Sequence, residues 1–341
     1  MSEADERPVL VAGGYGAVGA TVTRTLAGPL AGRVVAAGRD LARATALAAE
    51  VGGAAARIDV HDPAGFGRVL DEHGIGTVVL CVEPPGPALA RTCLERGVHL
   101  VDVGASADLL EQVEALAGTA VAHGATAVLS VGVAPGLTNL LARRARDDLG
   151  SADRVDVTVL LGAGERHGAD AVRWTVGQLA RPAPPGGPLR TTLPGYGRRT
   201  AHPFPFSDQY SLRRTLDVGE VTTRLCLDSA PLTALLFALR RSGLVRRSLA
   251  RRLLVAASTR VHLGADGFAV RADARLGGRH AAYALTGRRQ SHVTGLVAAH
   301  VTRALRTGTL PAGVHHLDTL PALAGLPQEL PGTTLRRLSE G

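Results

Sequence analysis

The sequence predicts an α/β chain, a doubly wound parallel sheet followed by a second, α+β domain, and three features carry that prediction. Strand-like and helix-like segments alternate without a break through residue 131. A glycine-rich turn joins the first strand-like run to the first helix. After residue 133 the alternation is lost. Short apolar runs separated by helix-period segments are the pattern of buried parallel strands with crossover helices.

Taken in order, Pro8–Ala12 is an apolar strand ending in Gly13-Gly14, and a helix is expected over about 17–30, with Val18, Val22, Leu26 and Leu30 on one face. Arg33–Ala37 reads as the second strand, and Leu41, Ala44, Leu47, Ala48 and Val51 fall at helical spacing behind it. Arg57–Val60 is expected as the third strand, with Pro63 opening the next helix. Thr77–Val82 and Val98–Val103 give the fourth and fifth strands, with a helix through Leu89, Cys93 and Leu94 between them. A helix through Leu109, Val113, Leu116 and Ala120 leads to a sixth strand at Thr126–Val131. Six strands with five intervening helices match the doubly wound Rossmann arrangement, whose usual strand order is 3-2-1-4-5-6.

Beyond residue 133, strands are expected at Arg154–Leu161, Val221–Leu227, Val261–Leu263 and Phe268–Leu276, and the Pro- and Gly-rich stretch Pro182–Pro205 reads as an irregular loop. Pro231–Leu254 pairs an apolar run with three Arg-Arg doublets, which suggests one long helix over a channel or a subunit interface rather than a membrane-surface segment. Val293, Leu296, Val297, His300, Val301, Ala304 and Leu305 mark a helix from Ser291 to Arg306.

Composition narrows the chemistry. The formal charge is +8, yet aromatics make up only 3% and no nucleic-acid-binding motif is present, so nucleic acid is not an expected partner. Every fixed basic side chain is arginine; without lysine there is neither a Schiff-base amine nor a P-loop lysine. The acidic start, the lack of a long apolar run and three scattered cysteines point to a soluble, cytoplasmic protein without disulfides. No histidine pair has metal-site spacing, so no metal is expected.

Gly14-Tyr15-Gly16-Ala17-Val18-Gly19 lies between a strand and a helix, where glycines allow a tight turn, close approach to a pyrophosphate, and close helix–strand packing. The helix N-terminus adds N–H donors and a favourable dipole. Where an acidic residue would bind the ribose hydroxyls of NAD, the second strand ends in Gly38-Arg39-Asp40. Gly38 leaves room, Arg39 can pair with a 2′-phosphate, and Asp40 caps the next helix; the expected cofactor is therefore NADP(H). Asp59 and Val60 are candidates to flank the adenine, and Val82 and Glu83 stand at the carboxyl edge where ligands bind in such sheets.

The opening Val9–Gly19, the segment Cys93–Val103 and the segment Gly132–Ala142 resemble saccharopine dehydrogenase-like reductases in order and spacing, as does the closing Gly287–Gly295. That resemblance implies a discontinuous cofactor domain, residues 1–132 with 290–341, and an α+β substrate and dimerisation domain at 133–289, giving a homodimer. It also implies hydride transfer to a small organic substrate, most often at a C=N bond, with the nicotinamide facing Pro135 and Gly136. Ala134 stands where amino-acid and polyamine reductases of this type tend to carry Asp, which leaves C=C and C=O reduction, or a cofactor-binding regulator without turnover, as alternatives. Candidate proton-handling residues are Asp102 at the end of the fifth strand, His167 in a turn after the second domain's first strand, and Tyr210 after the Pro-rich stretch.

Overall fold

β1 (Val9–Ala12) is apolar and fully buried at every position, which is what a strand paired on both edges and covered on both faces requires. The computed structural model describes residues 6–165, 169–260 and 264–338. The chain divides into two compact units, one running to Gly132 and resuming over Thr294–Leu326, the other comprising Val133–Val293 and the residues from Pro327.

In the first unit, β1 is followed by α1 (Gly19–Ala27), β2 (Val34–Gly38), α2 (Leu41–Val51), β3 (Ala54–Arg57), α3 (Pro63–Glu72), β4 (Thr77–Leu80), α4 (Ala88–Leu94), β5 (His99–Asp102), α5 (Ala107–Glu114), α6 (Ala117–Ala122) and β6 (Thr126–Leu129). Val9 is in register with Val34 of β2 and Thr77 of β4, so the strand order reverses at the β1–β4 junction. That junction opens the crevice at the carboxyl edge. The core beneath it is built from Leu10, Val35, Val78, Leu100, Phe66 and Leu70.

Three details differ from the sequence expectation. The third strand is Ala54–Arg57, not Arg57–Val60. Gly52 caps α2 in the left-handed region at φ 66°, so the chain turns at once into a strand of alanines, whose weak β-propensity hides it. The helix expected before the sixth strand is two, α5 and α6, with Ala115 and Leu116 between them. A seventh parallel strand, labelled β13 below, adds to β6 as Gly313–His316.

The second unit holds α7 (Thr138–Leu149), β7 (Arg154–Leu161), α8 (Ala169–Ala180), β8 (Leu189–Leu193), β9 (Gly197–Pro203), α9 (Asp208–Thr215), β10 (Glu220–Leu227), α10 (Ala230–Arg241), α11 (Ser248–Arg260), β11 (Gly267–Leu276) and β12 (Arg279–Arg288). Then come α12 (Gln290–Arg306), β13, α13 (Leu326–Glu329) and β14 (Thr333–Leu338). The second sheet runs β14-β12-β11-β7-β10-β9-β8, with β7 and β10 parallel and the other pairs antiparallel.

The Pro-rich stretch is not an irregular loop throughout: it contains the β8–β9 hairpin, with Gly195 and Gly197 at φ 79° and 69° in its turn. The basic segment is two helices, because α10 ends at Ser242 and Gly243 follows at φ 73°. The tail also departs from expectation. Instead of staying with the first unit, β14 pairs with β12, Leu335 opposite Leu285. The strand expected at Val261–Leu263 lies outside the described residues. Among the described residues no helix is long and apolar enough to cross a membrane.

α12 packs on α1 inside the first unit, and Gly295 makes the approach possible, since a Cβ there would lie 2.6 Å from Thr21. β13 is held by more than its ladder. His316 Nδ1 lies 2.9 Å from Ser130 Oγ and Nε2 lies 2.6 Å from Glu114 Oε1, a buried chain joining β6, β13 and α5. Its removal leaves buried polar groups without this partner, each costing ~1–3 kcal/mol. His316→Ala is accordingly expected to lower unfolding stability by roughly 2–4 kcal/mol on that scale, read from the urea midpoint at constant m-value.

Candidate cofactor and catalytic site

The turn after β1 leaves no room for side chains. A Cβ on Gly14 would lie 2.9 Å from the Val11 carbonyl, and one on Gly19 would lie 2.1 Å from the Gly13 carbonyl. Gly16 N–H donates to Gly13 at 2.8 Å, and Thr23 Oγ1 ties the first turns of α1 to the Gly14 carbonyl at 3.2 Å. Gly16 and Ala17 stay exposed, and α1, with Val18 at its N-cap, has no side-chain cap and no acidic residue in its first turn. A bare glycine ridge at a helix start without acidic residues suits a pyrophosphate.

At the end of β2 the structure revises the role of Gly38. The space over it is filled by Tyr15, whose ring atoms would lie 2.6 Å from a Cβ at that position. Tyr15 Oη accepts from Asp40 N–H at 2.9 Å. The Arg43 guanidinium stacks on the ring at 4.6 Å from its centre, while Asp40 caps α2 by accepting from Arg43 N–H. Arg39 and Arg43 are both exposed, the second over this tyrosine, so two arginines rather than one are candidates to hold a 2′-phosphate. Arg43 was missed because its signal, a residue three beyond the N-cap, is ordinary helix chemistry until Tyr15 is seen beneath it. Asp59 is exposed and turned on its own loop, accepting from His61 N–H and pairing with His61 Nδ1 at 3.0 Å; those bonds hold its carboxyl below the usual range. Val60 follows it beyond the end of β3.

Val82 and Glu83 follow β4, and Asp102 closes β5, so the sheet's carboxyl edge brings these three together with the glycine turn. Asp102 is buried. Its Oδ1 accepts from Gly104 N–H at 2.7 Å, and Oδ2 has no hydrogen-bond partner. Burial pushes its pKa up to about 6 against the pull of the Gly104 N–H, and Glu83 raises it further. Cys81 beside it is a thiol, pushed up to about 12 by burial and then by the Asp102 charge, which removes it as a nucleophile.

Pro135 and Gly136 belong to the second unit, buried, with Gly136 at φ 130°. Gly136 N–H donates to Asn139 Oδ1 at 3.1 Å, and Asn139 Nδ2 donates to Ser211 Oγ at 2.9 Å. On the same helix as Ser211, Asp208 is buried, accepts from Thr223 Oγ1 at 2.7 Å, and is pushed up to about 6 by burial. Sequence reasoning favoured Tyr210 as the acid of this segment. The structure turns Tyr210 instead onto Arg214, which contacts its hydroxyl and lies 5.3 Å over its ring, and leaves Asp208 as the buried proton holder. His167 lies outside the described residues. Among the described residues no cluster of three metal-ligating side chains occurs.

A bare glycine cradle, a helix start without a side-chain cap and arginines just after β2 and in the first turn of α2 are features that suit a dinucleotide with a 2′-phosphate. Residues 9–128 match the saccharopine dehydrogenase NADP binding domain family. That match covers these residues and none beyond them. Over the whole chain the fold is that of the L-glutamate-forming saccharopine dehydrogenase of Saccharomyces cerevisiae: TM-score 0.65 at 15% identity, covering 98% of this chain and 100% of that one. The DAP dehydrogenase of C. glutamicum, in complex with DAP, aligns at 15% identity with TM-score 0.49, over 94% of this chain and 96% of that one. Curated protein sequences give no match.

Two measurements follow. Arg39→Ala and Arg43→Ala are each expected to weaken NADPH binding about ten- to a hundred-fold, the worth of a charge-assisted pair of ~1.5–3 kcal/mol, while barely changing NADH; cofactor fluorescence titration reads both. Asp102 holds its proton more tightly in the fold than in the unfolded chain, so the stability it contributes is complete below ~pH 4 and is lost as pH rises through about 6. Asp102→Asn is expected to flatten that decline by roughly 2–3 kcal/mol, measured by urea unfolding at pH 4 and pH 8.

Proposed function

We propose that the protein is an NADPH-dependent reductase of a C=N bond in a small organic substrate, and that Asp102 handles the proton. The observation that carries this reading is a buried carboxyl with one unpartnered oxygen at the carboxyl end of β5, on the strand beside the edge where β1 and β4 part. NADPH, when bound, supplies the hydride.

The chain's own residues supply the rest. The Gly14–Gly19 turn and the α1 N-terminus hold the pyrophosphate, Arg39 and Arg43 the 2′-phosphate, and Val82 and Glu83 stand along the β4 end. A carboxyl with its pKa near 6 is populated in both protonation states close to neutrality. As the carboxylate it stabilises a protonated imine, and as the acid it donates to the substrate nitrogen. With no lysine in the chain and Cys81 locked as a thiol, few other groups can serve.

Reduction of C=C or C=O is the alternative, because Ala134 supplies no carboxylate beside Pro135. Incubation with panels of imines, enoyl compounds and ketones, monitored at the NADPH absorbance, separates these readings. Imine-dependent oxidation is the expected result; oxidation with enoyl compounds or ketones alone replaces the C=N reading. With a turned-over substrate in hand, Asp102→Asn is expected to lower kcat by about 10²-fold or more, the usual worth of a positioned acid or base, with NADPH affinity unchanged. Unaltered kcat assigns Asp102 a structural part only.

A further inference from the structure

The strand-to-helix turn between β12 and α12 carries Arg288-Arg289-Gln290-Ser291-His292, a motif that the cofactor site does not use. A pocket of about 530 Å³ opens beside it within the second unit. Asp266, Arg288, Arg289 and His292 make its polar wall, and Val293 and Pro331 contribute apolar surface.

The charges along that wall do not balance. Asp266 is already paired, its Oδ1 accepting from Arg288 Nε at 2.8 Å. The Glu165 carboxylate nearby is taken up by backbone, accepting from Gln290 and Ser291 N–H groups at 2.7 Å each. The Arg289 guanidinium has no hydrogen bond or ion pair among the described residues. Its backbone lies at φ 54°, in the left-handed region that side chains other than glycine rarely adopt. The Arg289 N–H, donated to the Asp266 carbonyl at 2.7 Å, holds it there. Such conformations cluster at ligand clamps. His292 is kept below its usual pKa by burial and then by the Arg289 charge. The wall thus carries one unmatched positive charge beside a neutral imidazole.

We propose that this pocket binds a carboxylate ligand with a short apolar body, the carboxylate on the Arg289 guanidinium and the His292 imidazole, the hydrocarbon against Val293 and Pro331. A single unmatched cation suits a monoanion. A phosphate dianion would leave excess negative charge beside Asp266 and Glu165. The site stands apart from the redox reading and holds whichever bond the enzyme reduces.

The test uses the full-length protein, titrated with sodium hexanoate and, separately, with inorganic phosphate. Heat is read by calorimetry and the His292 ring signals by NMR. Saturable hexanoate binding that shifts His292 is expected, with phosphate weaker. Arg289→Asn, which tolerates the left-handed backbone, is expected to weaken hexanoate about tenfold or more and to leave NADPH affinity intact; Arg289→Gln is the second substitution, each checked by thermal melting. Absence of saturation, saturation without a His292 shift, phosphate binding as tight as hexanoate, or hexanoate affinity unchanged from the parent in both variants overturns the proposal.

Discussion

The first unit depends on one close approach: the backbone of Gly19, at the start of α1, lies so near the Gly13 carbonyl that a Cβ would stand 2.1 Å from its oxygen. That contact sets the angle at which α1 leaves the sheet and leaves Gly16 and Ala17 bare at its start. Packing and binding ask for the same small residue here. The same economy of space recurs at Gly38, where the missing Cβ admits Tyr15, and at Gly295, where it lets α12 close on α1. Each of these glycines is defined by what lies against it, not by a turn conformation.

Much of the first unit was legible because buried parallel strands and amphipathic helices write themselves locally. Val9–Ala12, Thr77–Leu80 and Thr126–Leu129 are short apolar runs between helical periods, and the strand order follows from the doubly wound pattern. Legibility failed where the deciding contact is remote or the composition is bland. Ala54–Arg57 carries no β-branched residue. The β8–β9 hairpin hides among prolines and glycines that usually mark irregular loops. β14 finds its partner in β12 some fifty residues earlier in sequence, across the whole of α12 and β13.

The site divides in the same way. Glycine spacing and the arginine after β2 can be read from neighbours in sequence, as can the acidic residue closing β5. The value of Asp102 as a proton holder depends on its burial and on an oxygen that nothing satisfies, neither of which sequence displays. Asp208 and Tyr210 sit two residues apart on one helix, and only the placement of Thr223 and Arg214 tells which is enclosed and which is turned aside. Arg43 becomes a candidate beside Arg39 only because Tyr15, far back in the chain, lies under it.

The late strand β13 has a consequence for the order in which the molecule can form. As the chain emerges during synthesis, β1 to β6 appear first, and β6 presents an unpaired edge. Its partner, with His316 to engage Ser130 and Glu114, arrives only after residues 133–293 of the second unit have been made. The nascent first unit therefore waits, its apolar strand edge exposed to other chains, for about half of the chain to follow. Two things bear on that interval: how quickly the second unit folds out of the way, and how well chaperones shield the β6 edge. Yield in the cell is thus tied to the folding rate of a part of the protein that contributes no strand to this sheet.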